Sequence, residues 1–377
     1  ENGKRTSLVG IDLQDGVKLL RGPEGTKVKL WVKRPGVKDL IALDIARAPV
    51  DVDTALETML PGGIGYVQLT RFGFKSAQDM KESLEILERE GMKGLVLDLR
   101  NNPGGDLNNV IGIAELFLPK NSPVIKAKGV FGRYKEDLVL STEKKPRFGD
   151  IPLVVLIDEE SASGSELLSG TLKEHKRALI LGENSFGKDI GQSEFPLTGA
   201  DMEKEVENPN GRFLKCTVFR YLVMPTSVSV GRAPDGSKGV APDIEVHSKL
   251  YSSWEFYQLA ALQKTEKVDQ WVRSKWQEHK HTFMEIAEYD GYGETKYPGF
   301  DAFYTSLGTE LSRDMVRIEA RRVIRSLAAD ERARPYYGDY QNDFQLQRAV
   351  IELGGKMKLD LSAIPNFAHF LKDHPRN

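Results

Sequence analysis

The chain has 377 residues, of which 40% are hydrophobic and 29% are charged, and its formal net charge is −2 at pH 7. This length exceeds the roughly 100–200 residues of a typical domain and predicts two or three units, and the balanced charge argues against binding to nucleic acid or anionic lipid. No apolar run approaches the ~20 residues that cross a bilayer, and a single cysteine, Cys216, excludes an internal disulfide or a thiolate metal cluster.

The first fifty residues predict a small N-terminal unit. Residues 13–20 have the apolar spacing of a short helix, a glycine-rich turn follows, and residues 27–33 and 40–46 alternate like strands. So few elements bury too little apolar surface to form a good core by themselves.

Residues 51–250 alternate strands with helices, which is typical of an α/β domain. The predicted strands cover residues 64–72, 95–99, 151–157 and 178–181. Ser76 is the predicted N-cap of the first helix, a second helix runs through residues 113–117, and a third covers residues 161–175. In the first of these helices the spacing predicts a buried stripe of Met80, Leu84 and Leu87.

Residues 251–377 change in character and predict a C-terminal α-helical region. Long charged stretches there carry apolar residues at helical spacing, as in Met315, Ile318, Val323, Ile324 and Leu327. Their role stays open at this point, with dimerisation, a lid and adaptor docking as alternatives.

The first candidate for chemistry is the serine-rich segment 160–170, which joins an apolar strand to a helix. A serine there lies at a helix N-terminus, where free backbone N–H groups favour developing negative charge. Serine is also a leading N-cap residue, so the segment alone favours a purely structural role.

The second candidate is Lys188. The segment Gly182 to Lys188 matches a phosphate-binding loop, but Asp189 stands where Mg²⁺ binding needs Ser or Thr, and the residues that follow predict a strand instead of a helix. A lysine between an apolar strand and glycines can instead lose its charge on burial and accept a proton from a serine. A surface lysine in a turn is the simple alternative.

The third candidate is the loop Asn101-Asn-Pro-Gly-Gly105, which follows a predicted buried strand. Consecutive glycines let the backbone approach a ligand and present its N–H groups, although the same residues are also good turn formers. A histidine triad and a metal centre are not expected, because the chain has neither a G-x-S-x-G nor an H-E-x-x-H motif. We expect no metal and no organic cofactor.

Taken together, these segments resemble the carboxyl-terminal processing proteases, also called tail-specific proteases. The resemblance runs in order over roughly residues 10–247 and rests on several spaced motifs: Gly65-Tyr-Val-Gln-Leu69, Leu97-Asp-Leu-Arg-Asn-Asn-Pro-Gly-Gly105, Glu160-Ser-Ala-Ser-Gly-Ser-Glu166, Arg177-Ala-Leu-Ile-Leu-Gly-Glu183, Phe186-Gly-Lys-Asp-Ile-Gly-Gln192 and Gly239-Val-Ala-Pro-Asp-Ile-Glu-Val246. It implies an α/β fold with a crotonase-like catalytic core over residues 51–250.

The resemblance assigns roles to individual residues. It implies that Ser163 is the nucleophile, that Lys188 is the base, and that Gln192 orients the lysine amine. Glu166 matches an acidic residue one turn beyond the serine. The implied oxyanion hole uses the backbone N–H groups of Gly164 and of the Gly104–Gly105 pair, with Gly105 preferred.

The chain departs from the family pattern at three places. Gly164 stands where the family usually has Ala, and Met224-Pro-Thr-Ser-Val stands where it has a P-S-G turn. The third departure is Asp189-Ile-Gly-Gln192, where the family commonly has G-[ST]-V-Q. A carboxylate beside the base would oppose its activation unless the Asp189 side chain points away.

Residues 1–50 resemble the C-terminal half of a PDZ domain, a module that holds peptide C-termini. The half that would hold the carboxylate lies before Glu1, so we expect either a truncated chain or a module that does not bind tails by itself.

The sequence therefore predicts a serine endopeptidase that cuts near exposed apolar C-termini through an acyl-enzyme. The expected partners are protein or peptide substrates with apolar C-termini, with an adaptor or a homo-oligomer as further candidates. The family resemblance also implies an extracytoplasmic location, either periplasmic or membrane-associated. The alternatives are a noncatalytic peptide-binding protein on the same fold and a crotonase-type acyl-CoA enzyme.

Overall fold

The protein is described from a computed structural model, which describes residues 5–34, 37–50, 52–130, 136–196, 213–231, 238–248 and 251–372. The chain divides into two compact units, Glu1–Asp53 and Thr54–Asn377. Within the described ranges, none of the helices combines the length and apolarity that a membrane crossing needs.

The first unit contains one helix and one pair of strands. Helix α1 (Leu13–Leu20) begins after Asp12, whose side chain accepts the Gln14 N–H at 2.8 Å. Strands β1 (Lys27–Val32) and β2 (Ile41–Ala46) pair antiparallel. The predicted helix and strands are confirmed, and no residue of α1 is buried.

A six-stranded sheet forms the centre of the second unit. Its strands, in spatial order, are β13 (Ile244–Glu245), β9 (Leu179–Gly182), β8 (Leu153–Ile157), β5 (Gly94–Asp98), β4 (Ile64–Leu69) and β3 (Ala55–Leu60). All pairs are parallel except β3 with β4. Every residue of β5 and β8 is buried, as expected of parallel strands that are covered on both faces.

Three helices cover one face of this sheet: α2 (Ser76–Arg89), α3 (Leu107–Ala114) and α4 (Gly164–Glu174). They share one apolar core with the sheet, and the predicted stripe of α2 is completely buried in it: Met80, Leu84 and Leu87. The predicted cap of α2 is wrong by one residue. Lys75 occupies the N-cap, and the Ser76 hydroxyl instead accepts the Gly73 N–H at 2.7 Å.

A second, antiparallel sheet lies in the same unit. Its order is β10 (Ile190–Pro196), β11 (Phe213–Val223), β6 (Pro123–Gly129) and β7 (Leu138–Ser141), and β12 (Val228–Ser229) pairs with β11. The extended backbone predicted after Lys188 is confirmed as β10, so the loop that carries Lys188 connects the two sheets.

The described chain after residue 251 is helical. Helices α5 (Ser253–Lys264), α6 (Lys267–Glu288), α7 (Phe300–Leu307) and α8 (Arg313–Arg332) share a core of their own. Helix α9 (Phe344–Met357) and the short α10 (Pro365–Ala368) instead pack on the second face of the six-stranded sheet. Single 3₁₀ turns occur at Glu294–Lys296, Leu361–Ala363 and Phe370–Lys372. The predicted boundary near residue 250 marks this change to helices but not the edge of a compact unit.

Candidate active site

The candidate residues lie at one edge of the six-stranded sheet. Strands β5, β8 and β9 are parallel, so the loops that follow them leave the sheet at the same edge. These loops carry the Asn101–Gly105 segment, the serine segment and Lys188. In sheets of this kind, ligands bind beyond the carboxyl ends of the strands.

Ser163 sits directly before α4 and has an unusual backbone. It occupies the N-cap of the helix with φ 53° and ψ −110°, and it is partly exposed. A positive φ is uncommon for a residue with a side chain, and such strain is concentrated at functional sites. The strand-to-helix turn thus presents the Ser163 hydroxyl at a helix N-terminus without the glycine-flanked elbow motif.

The buried carboxylate of Glu166 joins the serine loop to the lysine loop. Its Oε2 accepts the Ser163 N–H at 2.7 Å and the Lys188 N–H at 2.9 Å. Its Oε1 accepts the Gly187 N–H at 2.6 Å and the Ser185 hydroxyl at 2.7 Å. Burial raises the pKa of the Glu166 carboxyl, against the lowering effect of these four bonds. One oxygen atom therefore holds the backbones of Ser163 and Lys188 within two hydrogen-bond lengths of each other.

The reactive atoms of the two predicted catalytic side chains are not bonded to each other in the structure. Lys188 is partly buried, and no hydrogen bond links its Nζ to the Ser163 hydroxyl. Gln192 lies on β10 at a β-bulge, where it is exposed and makes no hydrogen bond with Lys188. Catalytic hydrogen bonds often form only when substrate is bound, so this geometry leaves the predicted dyad open.

The carboxylate of Asp189 is held by residues of the second sheet. Asp189 is buried, and its Oδ2 accepts the Ser229 hydroxyl at 2.9 Å and lies 3.5 Å from a guanidinium nitrogen of Arg220. It forms no ion pair with Lys188. The negative charge that the sequence places beside the base is therefore partly balanced by Arg220 and a hydroxyl donor.

The hydrogen bonds of the glycine loop distinguish between Gly104 and Gly105 as the candidate oxyanion donor of this loop. The Gly104 N–H donates to the Asn102 side chain at 2.9 Å, so it is already occupied. The N–H groups of Gly105 and Gly164 have no acceptor among the residues that the structure describes. Gly104 is packed so tightly that a Cβ there would lie 2.6 Å from the Gly164 nitrogen. This geometry favours Gly105 over Gly104 as the partner of Gly164.

Asn102 is a supporting residue that the sequence reasoning did not single out. It is completely buried, and its side chain also donates to the Leu69 carbonyl at 2.7 Å. Its own carbonyl accepts the Ala162 N–H at 3.0 Å and the Ser165 hydroxyl at 2.8 Å. Asn102 thus fixes the glycine loop against the serine loop. The sequence signal that could have identified it is an asparagine shortly after a predicted buried strand, because a buried polar side chain needs hydrogen-bond partners.

On the expectation that Gly105 is an oxyanion donor, replacing it with alanine should lower kcat by about 10²–10³-fold, the cost of losing one such donor. Gly105 has φ +147°, and a Cβ there would lie 2.0 Å from the Phe72 carbonyl oxygen, so the loop must move. Steady-state kinetics check this, with thermal melting to show that the fold is retained. Gly355→Ala is the matched control, since a Cβ at Gly355 meets no atom within 4 Å. Unchanged kcat in Gly105→Ala would exclude this donor.

Comparison with known proteins identifies relatives of the chain. Residues 63–246 match Peptidase family S41. The carboxy-terminal processing protease CtpB of Bacillus subtilis (strain 168) is 29% identical over 357 residues, which cover 92% of this chain and 68% of CtpB. CtpA of the same organism, also a carboxy-terminal processing protease, is 34% identical over 255 residues, 67% of this chain and 49% of CtpA. The solved photosystem II D1 C-terminal processing protease is 27% identical, with a TM-score of 0.42 over 64% of this chain and 61% of that one. The chain thus spans about two thirds of CtpB and about half of CtpA.

Proposed function

We propose that this chain is a serine endopeptidase that cuts proteins near exposed apolar C-termini, since its residues 63–246 match Peptidase family S41. The observation that carries the proposal is the Glu166 carboxylate, which bonds the backbones of Ser163 and Lys188 through one oxygen atom. A purely structural N-cap serine would not require a lysine loop fixed beside it. The names of the relatives CtpA and CtpB support the choice of C-terminal processing.

In the first half of the proposed reaction, the Ser163 hydroxyl attacks the scissile carbonyl carbon. The Lys188 amine accepts the hydroxyl proton as the new C–O bond forms. The negative charge that develops on the carbonyl oxygen is stabilised by the N–H groups of Gly164 and Gly105. Lys188 then gives its proton to the leaving amine, the C–N bond breaks, and an ester on Ser163 remains.

In the second half, water replaces the amine. Lys188 removes a proton from the water as it attacks the ester, the same two N–H groups stabilise the charge, and the proton returns to the Ser163 oxygen as the acid leaves. Gln192 is proposed to orient the lysine amine once substrate is bound. Each step uses groups of this chain and of water.

The N-terminal residues have a proposed role in selecting the substrate. Residues 1–50 resemble part of a PDZ domain, and we propose that they belong to a module that receives the substrate C-terminus. The specificity for apolar ends is a separate proposal from the reaction class, and the two need separate readouts.

The test uses three forms of one unstructured protein, which end in apolar residues, in charged residues or in an amidated apolar end. We expect the chain to cleave the first form fastest, and mass spectrometry of the products shows where it cuts. Equal cleavage of all three would retain the peptidase and reject the specificity.

Ser163→Ala is the control for contaminating peptidases, since equal turnover by parent and variant rejects the peptidase. Absence of turnover by both, together with measurable binding of the apolar end, would favour the noncatalytic peptide-binding alternative.

A further inference from the structure

Arg100 lies between strand β5 and the loop that carries Gly105, and its guanidinium is almost fully bonded. Its side chain is 14% exposed. It donates to Asp98 at 2.6 and 2.9 Å, to Asp343 at 2.6 and 3.0 Å, and to the Gln345 side-chain oxygen at 2.8 Å. Two of these three partners come from the first turn of α9 and its cap, 243 and 245 residues away in sequence.

The start of α9 is built around this contact. Asp343 is the N-cap of α9, and the oxygen that accepts the Leu346 N–H at 3.0 Å also accepts from Arg100. The side-chain nitrogen of Gln345 donates to the Val246 carbonyl at 2.8 Å and lies 3.5 Å from a carboxylate oxygen of Glu183. Glu183 directly follows β9 and begins the loop that leads to Lys188. The start of α9 thus contacts the first residues of two of the three loops at the site, the loop that carries Gly105 and the loop that carries Lys188.

A short chain of bonds runs from Arg100 to the oxyanion donor. The Arg100 N–H donates to Asp98 at 3.0 Å, and the next N–H, of Asn101, donates to Asp158 at 3.0 Å. The Asn102 N–H then donates to the Leu99 carbonyl at 3.2 Å, and Asn102 holds Gly104. Gly105 follows directly, so this series of bonded residues leads from Arg100 to the Gly105 N–H.

We propose that Asp343 is a positioning residue, which fixes Arg100 and thereby sets the oxyanion loop, so that the C-terminal helical region completes the catalytic site. The inference rests on the proposed function and gives residues 344–357 a role in it. Removing the Asp343 charge leaves Arg100 with one carboxylate partner, Asp98, in place of two, and an asparagine amide would face a guanidinium N–H, so we expect Arg100 and the loop to rearrange. A displacement of about 1 Å at a reacting group can cost on the order of 10²-fold in rate.

The test compares Asp343→Asn with Glu352→Gln in the full chain. Asparagine keeps the shape and the N-cap acceptor but loses the charge, whereas Glu352 lies on the same helix and pairs with Arg348. For Asp343→Asn we expect kcat to fall on the order of 10²-fold with KM within about 3-fold of the parent, and Glu352→Gln to match the parent. Hydrogen exchange of the three hydrogen-bonded amides of this loop, those of Asn101, Asn102 and Gly104, is expected to speed up about 10-fold or more in Asp343→Asn alone.

The two readouts separate this inference from the proposed function. If the parent hydrolyses no peptide, the exchange rates of these three amides still decide whether Asp343 fixes the loop. Unchanged exchange there, or a gain spread evenly over the whole unit, would overturn the inference. If Asp343→Asn does not fold, Asp343→Ser gives the same test, because serine is also a good N-cap residue but removes the carboxylate that pairs with Arg100.

Discussion

Replacing Ser163 or Lys188 with alanine is expected to lower kcat/KM by about 10³-fold or more in each case, the order that follows from loss of a nucleophile or its base. Without the Ser163 hydroxyl no ester forms, and without the Lys188 amine the hydroxyl keeps its proton at the moment of attack. The kcat/KM of the double variant is expected to be no lower than that of the less active single variant, because the two groups act as one unit.

This first prediction is measured with a fluorogenic peptide cut by the parent, and circular dichroism shows whether each variant is folded. Ser274→Ala and Lys144→Ala are matched controls, since both residues lie on the surface away from the site. Additive losses in the double variant would show that Ser163 and Lys188 act independently, contrary to the proposed dyad.

The second large effect is expected from Glu166→Gln, which should lower kcat on the order of 10²-fold although it removes neither reactive group. The carboxylate accepts four hydrogen bonds, from the Ser163, Gly187 and Lys188 backbones and from the Ser185 hydroxyl. A glutamine has one accepting oxygen, and its amide nitrogen would face donors in place of the other. Each buried donor left without an acceptor costs about 1–3 kcal/mol, so the two loops should separate.

Denaturant unfolding and steady-state kinetics measure this second prediction together. Glu174→Gln is the control, because Glu174 lies on the same helix but near its exposed end, where it accepts from Thr226. A Glu166→Gln variant with the stability and kcat of the parent would show that the lysine loop is held by other contacts.

The alternation of the chain predicted most of the sheet and the helices on its first face. The stripe of Met80, Leu84 and Leu87 is periodic, and periodicity depends only on neighbours along the chain. The start of α2 was misplaced by one residue because the Ser76 hydroxyl accepts from Gly73 instead of capping the helix. Such local competition between hydrogen bonds is invisible in a residue pattern.

The sequence named the candidate residues of the site but not what holds them. The family resemblance marked Glu166 only as an acidic residue one turn beyond the serine, yet three of the four donors to Glu166 come from residues 185–188. The role of Asn102 likewise depends on the loop that precedes α4. The contact between Arg100 and Asp343 joins residues that are 243 positions apart and requires the tertiary fold, so no local motif could indicate it.

Helix α9 covers the second face of the six-stranded sheet, and the ribosome makes it after all the strands of that sheet. The strands are synthesised first, and their second face stays uncovered by α9 until that helix emerges. This face is apolar and includes Ile64, Val96, Val154 and Leu156. Until then a nascent chain exposes a surface that favours aggregation, and it lacks Asp343. The cover of this sheet face and the proposed catalytic site are therefore completed together, when α9 emerges, and before that point the proposed peptidase is expected to be inactive.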